Sequence, residues 1–151
     1  MITVKKVSFI EFHSLPEFKN IILEYTSESA LEDMPPINPN IDLYIKLNEA
    51  GVLTTLVAFE DDFLIGFANF MMSPNLHYST TTAVTESFFV KEDYRKTGAG
   101  IFLLKEMERL AKEKGAIAFL VSAPTDSKLS AVMDKNKSYK ETNKVFFRSL
   151  S

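Results

Sequence analysis

Three stretches of the chain carry residue types at spacings that could do chemistry. In the first, EDYRKTGAGIFLLKEMERL (residues 92–110), an arginine and two glycines, Arg95, Gly98 and Gly100, come just before an amphipathic helix. N–H groups at a helix start lack helical partners and sit at the positive end of the helix dipole, so this position attracts anions, phosphate above all. In the second, TESFFV, Glu86 offers a carboxylate that can take a proton. In the third, NLHYS, His77 brings an imidazole that titrates near neutrality, beside Tyr78.

Three phosphate-binding forms compete for the glycine stretch. A P-loop requires Lys then Ser or Thr after its last glycine, where Ile101 and Phe102 stand. A dinucleotide fold requires a third glycine, where Leu103 stands, and an acidic residue about twenty positions on, where Ala118 and its neighbours are apolar. What remains is Arg95-x-x-Gly98-x-Gly100, in which the backbone wraps a pyrophosphate and the glycines permit close approach.

The elements that must position these residues read as an alternating α/β order. Residues 2–10 form a first strand, and Pro16 to about Ala30 a helix with Phe18, Ile21, Ile22 and Tyr25 on one side. EDMPPINPN breaks the chain before a short helix, Ile41 to Ala50, stopped by Gly51. Strands at 53–59 and 63–72 form a hairpin across EDD, and Thr80 to Val90 is a long strand. Helix 98–114 shows a broad apolar face of Ile101, Leu103, Leu104, Met107, Leu110 and Ala111, ended by Gly115. Strand 117–122, a helix from Ser127 to Asn136 and a last strand from Lys144 to Ser149 complete the order. Phe88, Phe89, Phe102, Phe119, Phe146 and Phe147 are expected in the core.

Composition narrows the function. A chain of 151 residues suits one domain. A net charge of −3 lacks the clustered Lys and Arg of a nucleic-acid footprint. Without cysteine there is no disulfide framework, thiolate metal site or cysteine nucleophile, and two histidines do not make a multi-histidine zinc site, so no metal is expected. The N-terminal residues hold neither a signal peptide nor a membrane span, which points to the cytoplasm and away from a membrane partner.

Residues 85–122, TESFFVKEDYRKTGAGIFLLKEMERLAKEKGAIAFLVS, resemble the acyl-CoA-binding core of the GNAT N-acetyltransferases: strand, pyrophosphate loop, helix, strand. LEDMPPINPNIDLYIKL, NLHYSTTTAV and SYKETNKVFFRSL are similar to a bacteriophage and prophage subgroup, which extends the resemblance over most of the chain. The resemblance implies a single GNAT domain over residues 1–151, a mixed sheet of about six to seven strands and about four helices. It implies acetyl-CoA as donor and, as acceptor, a primary amine on a small molecule or a protein lysine. Residue by residue, it implies that Arg95, Lys96, Thr97, Gly98, Ala99 and Gly100 hold the CoA pyrophosphate and that Phe88, Phe89 and Val90 run beside the pantetheine arm. Family members often pair as dimers, which extends that expectation here.

For the proton, Glu86 stands where family members often carry an acidic base, and strand alternation puts it on one face with Val84 and Phe88. His77 and Tyr78 are the second candidate, and His13 beside the first helix a weaker one. The family's usual acid, a tyrosine five residues before its GF pair, is replaced: SY (Ser138, Tyr139) stands for GF, and Asp134 occupies the tyrosine's place. Acidic residues Glu24, Glu28, Glu32 and Asp33 border the expected acceptor cleft and suit a cationic acceptor. The leading expectation is acetyl transfer to a primary amine. The alternatives are a CoA-binding module without turnover and a phage protein that engages a host factor.

Overall fold

The computed structural model describes all of residues 1–151. Five strands lie in the order β1-β2-β3-β4-β5: β1 (Ile2–Val7), β2 (Leu53–Glu60), β3 (Phe63–Asn75), β4 (Thr80–Val90) and β5 (Phe119–Leu120). The first four pair antiparallel, and β4 pairs parallel to β5. Helices α1 (Phe9–His13), α2 (Phe18–Ser29), α3 (Ile41–Glu49), α4 (Ala99–Glu113) and α5 (Lys128–Lys135) complete the chain.

Two cores follow from alternation along the strands. On one face, Leu56, Ile65, Ala68, Phe70 and Ala83 meet Leu103, Leu104 and Met107 of α4. On the other, Leu53, Val57, Leu64, Phe67 and Phe89 meet Phe9, Phe12 and Ile21 of α1 and α2. Burying each such side chain is worth about 1.5–3 kcal/mol, so both faces hold the sheet rigid around the residues between them. Asn48 ties three elements together: its Oδ1 accepts from the Phe9 N–H at 2.9 Å and its Nδ2 donates to the Leu53 carbonyl at 3.0 Å.

Several expectations are corrected. The first strand stops at Val7, because Ser8 caps a new helix by accepting the Glu11 N–H at 3.1 Å, a Ser-x-x-Glu start readable in the sequence. The sheet has five strands rather than six or seven, and five helices rather than about four. Residues 144–149 join no strand; Val145, Phe146 and Phe147 are exposed there, so the last two are not core. Phe102 is also exposed, on the outer side of α4.

The expected strand 117–122 is reduced to Phe119 and Leu120, preceded by backbone bonds from the Ile117 N–H to the Thr81 carbonyl and from the Ala83 N–H to the Ala118 carbonyl, and it ends before Val121. Its shortening has a local cause. Opposite Asn69 and Phe70 of β3, β4 carries one extra residue: Asn69 faces Ser87 while Phe70 faces Thr85, so Glu86 is a bulge. A bulge bends its strand and breaks pairing, and beyond it the Ser122 N–H reaches the Thr85 side chain at 2.9 Å instead of a strand carbonyl.

Gly66 marks a close approach beside this stretch. A Cβ there would lie 2.8 Å from the Phe89 carbonyl oxygen, which is backbone and cannot step aside. We expect Gly66→Ala to lower stability by about 1–3 kcal/mol, read as a reduced urea midpoint at unchanged slope.

Candidate active site

The bulge decides where Glu86 points. Phe88 packs on the α4 side, whereas Glu86 and Ser87 both open on the opposite face, into a cleft of about 250 Å³ between α1, α2, α3 and the sheet. The expected sharing of a face by Glu86 and Phe88 is therefore corrected: the extra residue shifts the alternation. Glu86 is the one acidic side chain of the cleft lining, which otherwise consists of aromatic and aliphatic residues with Asn38, Asn69 and Ser87.

Tyr44 of α3 donates its hydroxyl to Glu86 Oε2 at 2.5 Å. Its ring stacks on Phe9, centroids 4.7 Å apart and planes 13° from parallel, so the donor is held from behind. Beneath the carboxylate runs a buried polar chain: Thr55 Oγ1 donates to Asn69 Oδ1 at 2.6 Å, and Asn69 Nδ2 donates to Ser87 Oγ at 2.9 Å. Ser87 thus accepts from below and keeps its own O–H for the cleft. Tyr44, Asn69 and Ser87 escape sequence reasoning, because contacts such as Tyr44 to Glu86 join residues 42 apart in the chain with no local signal.

Burial first, then the bond to Glu86, push the Tyr44 hydroxyl far above the ordinary tyrosine range. Burial also raises Tyr25, to which the Glu86 charge adds, and burial with a bond to Glu108 raises Tyr139. Each hydroxyl holds its proton more tightly in the folded chain than in the unfolded one. The stability they contribute is therefore complete below the unfolded tyrosine pKa of about 10 and is lost as pH rises past it. We expect the urea midpoint to fall between about pH 9 and pH 11, and Tyr44→Phe to show a smaller fall than the wild type.

The glycine loop lies at the end of β4. Gly98 has φ 91°, in the left-handed region, and caps α4 with no side-chain bond. Thr97 Oγ1 donates to the Tyr94 carbonyl at 2.6 Å and accepts from the Ala99 N–H at 3.3 Å. The N–H groups of Lys96, Gly98, Gly100 and Ile101 donate to no protein acceptor, which leaves a cradle of donors at the positive end of a fifteen-residue helix.

The Arg95 side chain is engaged elsewhere. Its Nε donates to the Val90 carbonyl at 2.8 Å, its Nη2 reaches both Glu28 oxygens at 2.9 and 2.7 Å, and the guanidinium lies 5.5 Å from the Phe89 ring centroid. Lys91 pairs with Glu24 at 3.4 Å. Two of the four acidic residues expected to await a cationic acceptor are thus partnered within the chain, and these pairs tie α2 to the loop. Being half exposed, each is worth about 0–1 kcal/mol.

The remaining sequence-derived candidates lie apart. His77 and Tyr78 sit in the exposed turn between β3 and β4, where the Tyr78 N–H donates to Asn75 Oδ1 at 3.3 Å; neither lines the cleft with Glu86. His13 rests against Phe9 and Phe18. Tyr139 packs toward α4 and donates to Glu108 Oε2 at 2.5 Å, while Asp134 lies on α5.

A sheet that parts beside a glycine-capped helix, with a carboxylate set on a bulge of β4, defines an acyltransferase-type fold. The profile of the Acetyltransferase (GNAT) family matches residues 15–131, and the chain belongs to that family. It is 30% identical over 69 residues to the aminoglycoside N(6')-acetyltransferase type 1 of Acinetobacter genomosp. 13. That match covers 46% of this chain and 47% of the relative, so the chain spans about half the relative's length. Among solved structures, the aminoglycoside acetyltransferase HMB0005 from an uncultured soil metagenomic sample superposes with a TM-score of 0.76, at 16% identity over 100% of this chain and 99% of that one. The ribosomal-protein-alanine N-acetyltransferase of Brucella melitensis biovar Abortus 2308 gives a TM-score of 0.73, at 17% identity over 99% of both chains.

Proposed function

We propose that this chain transfers the acetyl group of acetyl-CoA to a primary amine by direct attack in a ternary complex. The observation that carries the reading is the bulge: it sets Glu86 and Ser87 into the aromatic cleft at the point where β4 and β5 stop pairing. Donor and acceptor would meet there from opposite sides of the sheet.

The donor residues fit the role. The free N–H groups of Lys96, Gly98, Gly100 and Ile101 would hold the pyrophosphate, in charge-assisted bonds of about 1.5–3 kcal/mol each. Ala99 and Thr97 shape that turn, and the backbone of Phe88, Phe89 and Val90 would border the pantetheine arm. Arg95 would act from the side, holding the loop to α2 through Glu28 and to β4 through Val90. A backbone amide of this stretch would polarise the thioester carbonyl.

In the transfer, the ammonium gives its proton to the Glu86 carboxylate, directly or through one water, and the nitrogen attacks the thioester carbonyl. The C–N bond forms, the nitrogen gives up its second proton to solvent as the C–S bond breaks, and the CoA thiolate takes a proton from solvent. Tyr44 holds Glu86 Oε2 and so fixes the free oxygen toward the cleft.

A second reading, CoA binding without turnover, draws on one observation: the Tyr139 hydroxyl is spent on Glu108, and Asp134 stands in place of the family's acid. Thiol release separates the two. With acetyl-CoA and a panel of primary amines, we expect CoA thiol to appear in step with N-acetylated product; binding of acetyl-CoA with no thiol release from any amine would favour the second reading. A cytoplasmic setting and a homodimer complete the proposal, and a phage setting draws on sequence resemblance alone.

A further inference from the structure

The acceptor cleft of the relatives named above serves aminoglycosides or a ribosomal protein by their names; the lining of this one differs in character from what a polycation requires. Its accessible walls are Phe18, Ile22, Tyr25 and Tyr44, over a floor of the buried rings of Phe9, Phe12 and Phe67. The rings form one connected surface: Phe12 meets Phe18 at 4.9 Å and Phe67 at 5.0 Å, and Tyr25 meets Phe67 at 5.5 Å. Into this surface projects one carboxylate, Glu86.

One carboxylate balances one ammonium. A second or third ammonium in the same cleft would be desolvated against rings with no counter-charge, which is strongly unfavourable. Of the acids expected at its border, Glu24 is taken by Lys91 and Glu28 by Arg95, and Glu32 and Asp33 are outside the lining. A single ammonium, by contrast, gains both the carboxylate and the faces of the surrounding rings.

Resting on the acetyl-transfer reading of this cleft, we infer that the acceptor is a primary monoamine with an apolar or ring-bearing body, its ammonium at Glu86 and its body against Phe18, Ile22, Tyr25 and Tyr44. Polyamines and aminoglycosides are the wrong class for this site.

The test compares kcat/KM for 2-phenylethylamine, spermidine and kanamycin under saturating acetyl-CoA, with acetyl-CoA affinity measured separately by calorimetry. The expected result is at least a tenfold preference for 2-phenylethylamine over either polycation. Equal or better use of spermidine or kanamycin overturns the inference and leaves the acetyl-transfer reading standing. Binding of acetyl-CoA with no acetylation of 2-phenylethylamine also overturns it, and a chain that fails to bind acetyl-CoA removes both. As a second arm, Ile22→Glu places another carboxylate on the α2 wall and is expected to raise the spermidine to 2-phenylethylamine ratio about tenfold, provided circular dichroism shows the fold retained. An unchanged ratio in a folded variant counts against the inference.

Discussion

Glu86→Gln is expected to lower kcat for amine acetylation by about 10²–10³-fold at neutral pH while leaving acetyl-CoA affinity within about threefold. An alkyl amine has a pKa near 10.4, so freeing its lone pair at pH 7 costs about 4–5 kcal/mol, which a positioned base offsets. Glutamine matches glutamate in size and can still accept the Tyr44 hydroxyl, so the cleft keeps its shape. It cannot take the proton. The sign of the pH dependence follows: as pH climbs toward the amine's own pKa, solvent does the deprotonation and the deficit of the variant should shrink. Rates of the two proteins, measured from about pH 6 to about pH 10 so as to approach the amine's titration, check this. A deficit that is constant with pH would mean that Glu86 binds the ammonium without taking its proton, and no deficit would remove Glu86 from the mechanism.

The second large effect belongs to the loop. Gly98→Asp should weaken acetyl-CoA binding by at least about 100-fold, as read by calorimetry, in a chain whose circular dichroism is unchanged. Two effects act together. At φ 91° an L residue is strained, though aspartate is among the residues that tolerate positive φ best. More weight falls on charge: a carboxylate among the N–H groups of Lys96, Gly98, Gly100 and Ile101 occupies the positive helix end and repels a pyrophosphate. Gly98→Asn supplies the same shape without the charge and should lose far less affinity. Equal losses in both would assign the effect to backbone strain, and equal binding by wild type and Gly98→Asp would place the pyrophosphate elsewhere.

The engagement of Arg95 ties the glycine loop to α2 and to the end of β4. Its guanidinium spans Val90 at the end of β4 and Glu28 on α2, the helix that walls the cleft holding Glu86.

How far the sequence can be read depends on whether a signal is local. The α4 helix is legible because its apolar residues recur at helical spacing and glycines bracket it, and it runs Ala99–Glu113 as its pattern demands. The glycine loop ahead of it is legible for the same reason. The β4 bulge is not, since an extra residue in a strand leaves alternating sequence on both sides of it and shows only as a register shift against β3. Its consequence is the largest departure at the site: simple alternation puts Glu86 on the face of Phe88, and it lies on the other. The short α1 carries a readable cap yet interrupts a run that looks like strand. The exposed Val145 to Phe147 also look like strand, because β-branched and aromatic residues favour strands wherever they occur.

Sequence alone determined the family fold and the glycine loop, because each rests on neighbours within a few positions of one another, and it offered Glu86 as a candidate through the family resemblance. Tertiary structure alone decided that Tyr44 holds Glu86, that Asn69 and Ser87 lie beneath it, that Glu24 and Glu28 are already paired, and that the cleft lining carries a single carboxylate. Those contacts join α2, α3 and three strands across long stretches of chain. Their energies depend on distance and burial, which exist only once the two cores have brought the elements together.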